Sequence, residues 1–210
     1  MNENNLSLLW EQHWKSKTSI EDTATIYGRW LRRQRLAILE SIVKPLPKSY
    51  SVLDMGCGSG ETTSIFKKLG FSQVIGIDCS KSALVLCKKK NIGCVLSDAK
   101  TTGFPDKTFD IVFEEGLWEH LKNYVPYIKE ACRVANKYLI AFQPNHFSFA
   151  GAVIKLGWDL LFHNRGGIKE YSYPLSHFKQ LIEIYGFKFL YLKSTLFGEY
   201  CCLVFRRIKD

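Results

Sequence analysis

The sequence predicts a doubly wound α/β fold: a seven-stranded, mostly parallel sheet with a C-terminal antiparallel β-hairpin. Three observations predict it. Short apolar runs alternate with helix-like segments between residues 50 and 142, the pattern of parallel strands joined by crossover helices. The first run stops at three alternate glycines, Gly56, Gly58 and Gly60, with a helix-like segment after them. The last two runs, 187–194 and 199–206, are separated only by a short connection containing Gly198, so the final strand runs antiparallel to the rest.

The elements come in order along the chain. Residues 6–15 and 25–43 read as helices. The second carries Ile26, Trp30, Leu31, Leu36, Leu39 and Ile42 at roughly helical spacing and ends at Pro45 and Pro47. Strands are predicted over 50–55, 73–77, 92–96, 109–113 and 138–142. Helices are predicted over 61–69, stopped by Gly70, and over 80–90 and 124–134. A last helix, 175–185, closes at Gly186. Residues 145–173, with an apolar helix around 149–162, are too long and too aromatic for an ordinary connection and read as a lid or substrate-binding insertion.

Composition narrows the function classes. The chain has 210 residues, 46% hydrophobic and 23% charged, which is globular and fits one domain. Its longest apolar-rich stretch, 147–162, is broken by Ser148, Lys155 and Asp159, so no transmembrane segment is expected. The N-terminus MNENNLSLLWEQHW lacks the basic-then-apolar order of a signal peptide. Seven cysteines, odd in number and without C-x-x-C spacing, argue against a zinc site or disulfide framework and for a reducing cytoplasm. The net charge of +9 admits a nucleic-acid binder, a membrane-surface protein, an enzyme for acidic substrates or a solvated basic exterior. No aromatic–basic signature of an RNA-recognition module is present.

Most of the functional information lies in VLDMGCGSG, residues 52–60. Glycines let the chain turn sharply and let a ligand approach where a Cβ would stand. The loop ends at a helix N-terminus, where free N–H groups receive polar ligand atoms. The third glycine comes one residue too early for the dinucleotide fingerprint. Asp54, expected on the loop's rim, would repel a pyrophosphate and attract an ammonium, so a cationic nucleoside is favoured over NAD. Asp78 ends the second strand, where an acid commonly accepts hydrogen bonds from ribose hydroxyls. Ser80 is free to cap the next helix. Asp98 follows the third strand and is either an acceptor for an adenine amino group, with the Ala99 N–H meeting a ring nitrogen, or a surface turn.

VLDMGCGSG, VIGIDCS, SDAKTTGFPDKTFDIVF and EEGLWEHL together resemble the class I methyltransferases that use S-adenosylmethionine, in particular the small-molecule branch with ubiquinone and menaquinone biosynthesis enzymes. The resemblance covers residues 50–142 firmly and implies a Rossmann-like fold. It divides the chain into a helical cap (1–45), a cofactor-binding core (46–144), the insertion (145–173) and the final helix and hairpin (174–210). It implies that Asp54, Gly56, Gly58 and Gly60 line the methionine end of the cofactor, with the backbone of Cys57. Asp78 would take the ribose with Cys79 beside it, and Asp98 and Ala99 the adenine. Glu114 and Glu115 would face the sulfonium end, where two adjacent acids depart from the usual pattern, and Trp14 and Tyr27 would cover the cofactor.

A sulfonium methyl is already activated, so the protein mainly positions, desolvates and sometimes deprotonates the acceptor. His120, in Trp118-Glu119-His120-Leu121, is the candidate general base; its other reading is a packing residue at a helix start. In or near the insertion, His146, Tyr171 and Tyr173 are candidate substrate contacts, while His146, His163 and His177 match no metal-ligand spacing. The cluster Arg29, Arg32, Arg33 and Arg35 either draws an acidic substrate or forms a solvated face. The reading is a methyltransferase for an O, N or C nucleophile of a small molecule, drawn in as an anion by the basic exterior, with S-adenosylhomocysteine as product and no metal. The alternatives are an RNA or protein methyltransferase, a silent cofactor-binding regulatory subunit, and a protein that touches a membrane surface through residues 149–162 beside Arg165 and Lys169.

Overall fold

The computed structural model describes residues 3–16, 26–162 and 168–208. Seven strands form one sheet in the order β3-β2-β1-β4-β5-β7-β6. They are β1 (Val52–Met55), β2 (Val74–Asp78), β3 (Gly93–Leu96), β4 (Phe109–Glu115), β5 (Ala135–Pro144), β6 (Phe187–Ser194) and β7 (Tyr200–Arg207). β1 to β5 pair in parallel, and β7 lies antiparallel between β5 and β6. The helices are α1 (Glu3–Lys15), α2 (Ile26–Val43), α3 (Thr63–Lys68), α4 (Lys81–Lys88), α5 (Val125–Val134), α6 (Phe149–Phe162) and α7 (Leu175–Ile184), with a 3-10 turn at Trp118–His120.

Alternation along the strands builds two cores. Leu53, Met55, Val112, Leu139 and Ala141 pack beneath α5 and α7, against Ile128, Ala131, Phe178 and Ile182. Val52, Ile111, Phe113, Ile140 and Phe142 face Leu39, Ile42 and Val43 of α2 and Phe66 of α3. Phe66 is fully buried and meets Phe113 edge-on at 5.5 Å between ring centroids. Truncating such a ring to alanine costs about 3–5 kcal/mol. The period of two also assigns the polar residues at the strand ends to their faces. Glu114 and Gln143 continue the α5/α7 face, and Glu115 continues the α2/α3 face.

The strand order reverses between β1 and β4, which opens a crevice beyond their carboxyl ends, the usual ligand position in such sheets. Local signals fix the crossovers. Ser80 caps α4 by accepting the Ala83 amide at 3.1 Å. Gly70 and Gly186 follow α3 and α7 with φ of 92° and 84°. Most boundaries shift by one to three residues from the sequence reading, and β5 differs at both ends. β5 begins at Ala135, directly after α5, because it already pairs with Phe109 there. It runs on to Pro144 because β7 zips along it as far as Tyr200.

Candidate active site

The glycine loop is held from behind. Gly56, Gly58 and Gly60 have φ of 76°, 51° and 74°, which side chains with a Cβ rarely adopt. The Gly56 and Cys57 amides donate to the Ile77 carbonyl at 2.8 and 2.9 Å. The Gly58 amide donates to Asp78 Oδ2 at 2.9 Å, and the Ser80 amide to Asp78 Oδ1 at 2.8 Å. Burial pushes the Asp78 carboxyl upward, against these backbone donors. A Cβ at Gly58 would stand 2.6 Å from Trp14 Cζ2, so α1 lays an indole directly on the loop. Glu11, one turn before, accepts from Ser80 Oγ, Ser82 Oγ and the Ser82 amide at 2.7, 2.7 and 3.1 Å. It fastens α1 over the start of α4.

Asp54 is not on the rim. It is 3% exposed behind the loop, on the α3 side of β1, and accepts the Thr63 hydroxyl at 2.5 Å. Burial pushes its carboxyl up to about 7, with the Thr63 bond opposing and Glu115 adding to the rise. The Cys57 thiol also turns inward, among Leu84, Cys87 and Ile92, leaving its backbone to the loop. Cys79 is exposed beside Asp78. Asp98 is exposed beyond β3 and accepts the Lys100 amide at 3.0 Å, while Ala99 is buried next to it.

Across the crevice, the end of β4 carries acids to both faces. Glu115 accepts Thr62 Oγ1 at 2.6 Å and pairs with Arg35 Nε at 3.2 Å, whose guanidinium lies over the Tyr200 ring. Arg32 pairs with Glu61, so two arginines of the α2 cluster are matched to acids. Glu114 is fully buried and takes Gln143 Nε2 at 2.5 Å. Glu119 is buried in the 3-10 turn. Burial first, and their mutual repulsion in the case of Glu114, raises both carboxyls. His120 Nδ1 lies 2.9 Å from the Lys169 carbonyl, with the Trp10 ring edge-on at 5.1 Å. A carbonyl only accepts, so the neutral imidazole carries its proton on Nδ1 and its lone pair on Nε2.

The insertion closes on this end. The Tyr171 amide donates to the Glu119 carbonyl at 2.7 Å, and its ring stacks on Tyr173. The Tyr173 hydroxyl donates to the Leu121 carbonyl at 2.9 Å and packs its ring against Phe178. His146 Nδ1 meets Ser172 Oγ at 2.8 Å, and its Nε2 lies 3.4 Å from Glu170. His177 is exposed on α7. His163 and Arg165 lie outside the described residues. Tyr27 goes elsewhere: its hydroxyl donates to Glu199 at 3.0 Å beside the β6–β7 turn. That turn joins β6 and β7, four and three places from β1, at least roughly 14 Å away at the usual strand spacing. Among the described residues no group of three or more His, Cys, Asp or Glu could hold a metal ion.

Glu11, Gln143 and Glu170 belong to no motif in the sequence, and Arg35 figures there only as one member of a basic cluster. Of these, Gln143 carries a usable signal, because it stands on the same strand face as Glu114 once β4 and β5 are paired.

The comparisons with known proteins agree with this geometry. Residues 53–138 match the family model described as a methyltransferase domain. The ribosomal protein L11 methyltransferase of Dictyoglomus thermophilum is 29% identical over 125 residues, 57% of this chain and 41% of that one. The pavine N-methyltransferase of Thalictrum flavum subsp. glaucum is 28% identical over 142 residues, 64% of this chain and 37% of that one. The matched stretch thus spans about two fifths of these relatives' length. The fold matches magnesium protoporphyrin IX methyltransferase from Synechocystis PCC 6803, solved with bound S-adenosylhomocysteine, at TM-score 0.70 and 17% identity, over 98% of this chain and 96% of that one. With its glycine loop, its strand order and its matched core, the chain has an α/β methyltransferase fold and is similar over residues 53–138 to the methyltransferase domain.

Proposed function

We propose that the chain transfers a methyl group from S-adenosylmethionine to a nucleophile on a small molecule. The observation that carries this reading is the left-handed glycine loop latched to the Asp78 carboxylate. In it Gly56–Gly60 receive the methionine end, Asp78 the ribose hydroxyls, and Asp98 with the Ala99 amide the adenine. Trp14 closes over Gly58. Glu114 and Glu115 border the sulfonium. When bound, the cofactor supplies an activated methyl. The chain's own residues then orient the acceptor and exclude water, and His120 Nε2 takes a proton where the acceptor has one to lose.

Calorimetry with S-adenosylhomocysteine tests this. Micromolar binding by the wild type, weakened at least tenfold in Asp78→Ala, is expected. A folded protein that does not bind it overturns the proposal. A protein acceptor is the second reading, favoured by a relative named for ribosomal protein L11. Methyl-group labelling of small molecules and of proteins separates the two, and no labelling of either by a protein that binds the cofactor marks a silent subunit.

A further inference from the structure

Among the described residues six buried side-chain atoms lack a hydrogen-bond partner: Gln34 Nε2 and Arg35 Nε on α2, Trp118 Nε1, and three oxygens at and beyond the ends of β4 and β5. Glu114 Oε2, Glu119 Oε2 and Gln143 Oε1 are each sealed from solvent without a hydrogen bond, although their residues are 0%, 4% and 0% exposed. Glu114 and Gln143 are joined through their other atoms at 2.5 Å. Glu119 is close enough to Glu114 to repel its charge. An orphaned buried polar atom costs more than a hydrogen bond contributes, so three together call for a partner.

Neighbouring charges give these three oxygens no hydrogen bond, although Arg35 and His120 lie near enough to act on the Glu119 charge. Arg35 is paired with Glu115, and His146 with Glu170. His120 spends its Nδ1 on the Lys169 carbonyl, and Trp118 Nε1 is sealed in the core against Phe178. What remains is a cluster of oxygens in which Glu114 holds its proton until a cation arrives, with the Tyr171 amide on the Glu119 carbonyl and the Trp10 ring against His120.

We infer that the methyl acceptor is an amine that enters as its ammonium, with its N–H groups on Glu114, Glu119 and Gln143. This rests on the reading under Proposed function. A primary ammonium offers three donors and a positive charge, a hydroxyl offers one donor, and a carboxylate offers none. The basic exterior does not argue for an anion at this end, because Arg32 and Arg35 already hold Glu61 and Glu115. In the reaction the ammonium gives one proton to His120 Nε2. Its freed lone pair forms the N–C bond to the methyl, the C–S bond breaks with its pair on sulfur, and the product leaves as a methylammonium with a neutral thioether beside it.

The test is calorimetry on protein saturated with S-adenosylhomocysteine, using 2-phenylethylamine, 2-phenylethanol, 3-phenylpropionate and a short lysine-containing peptide. Binding by the amine or the peptide, at least tenfold tighter than by the alcohol or the acid, is expected. The amine and peptide arms tell a free amine from a protein side chain. Glu119→Gln, shown folded by circular dichroism, is expected to weaken that binding about tenfold while S-adenosylhomocysteine binds as before. Equal binding of alcohol or acid, or binding of neither amine nor peptide, overturns this inference alone. A Glu119→Gln protein that loses S-adenosylhomocysteine and keeps the amine also overturns it. A wild type that binds no S-adenosylhomocysteine overturns the proposed function and this inference with it.

Discussion

Asp78 Oδ2 accepts the Gly58 amide at 2.9 Å, and this bond ties the end of β2 to the turn after β1. The same carboxylate takes the Ser80 amide through Oδ1, so one side chain shapes the loop and the start of α4 together. Hydrogen bonds to a charged group contribute about 1.5–3 kcal/mol each. Asp78→Asn keeps the shape but loses the charge and one of the two accepting oxygens, whereas Asp78→Ala leaves both amides without their acceptor. Urea unfolding is expected to rank the wild type above the Asn variant and the Asn variant above the Ala variant. Equal midpoints would show that the latch is idle.

Legibility in the sequence depends on whether a residue's partner is near along the chain. The glycine loop, Asp78 and the strand alternation are readable because each is a local pattern. The final hairpin is readable because Gly198 sits between two strand-like runs. The position of Asp54 is not, since a residue's place on a strand face is settled only when the layer above it, here Thr63, is known. Glu11 carries no motif at all. Its partners Ser80 and Ser82 lie about 70 residues away and meet it only when α1 docks. Tyr27 shares the aromatic character of Trp14, and only the packed fold sends it to Glu199.

Gly58 is sensitive on two separate grounds. Its φ of 51° strains any residue with a Cβ, by about 1–2 kcal/mol. The added methyl would also stand 2.6 Å from Trp14. Gly58→Ala is therefore expected to lower stability by about 2–3 kcal/mol, combining strain with displacement of the indole. In Trp14→Ala background the same change should cost only the backbone part. A double-mutant cycle read by urea unfolding measures the difference, and simple additivity would mean that Trp14 yields freely.

Glu11 gives α1 a pH signature. Hydrogen bonds from Ser82, then from Ser80, hold its carboxyl down at about 2. A lowered acid contributes stability that is fully present above its unfolded value near 4.5 and fades as the pH falls through the folded value. Glu11→Ala should therefore lower stability by about 1 kcal/mol at pH 6, as loss of a helix-capping acceptor does. The deficit should narrow below pH 4. Urea midpoints at pH 6 and pH 3 check this, and a deficit that stays constant with pH would remove the carboxylate from the account.

Glu114 has the opposite sign. Burial first, then repulsion from Glu119, raises its carboxyl well above 4.5, so the folded chain holds a proton that the unfolded chain releases. Stability must then fall as the pH rises from the unfolded value toward the folded one. Glu114→Gln removes that loss while leaving an amide oxygen to accept from Gln143 Nε2. At pH 5 the variant and the wild type should unfold within about 0.5 kcal/mol of each other, the range of a nearly silent substitution. At pH 8 the variant should be the more stable by about 1–3 kcal/mol, the cost of a buried polar group left without a partner. Urea unfolding at the two pH values decides it. Parallel curves would mean that Glu114 is ionised and compensated in the fold, and a wild type that gains on the variant at pH 8 would reverse the sign argued for this carboxyl.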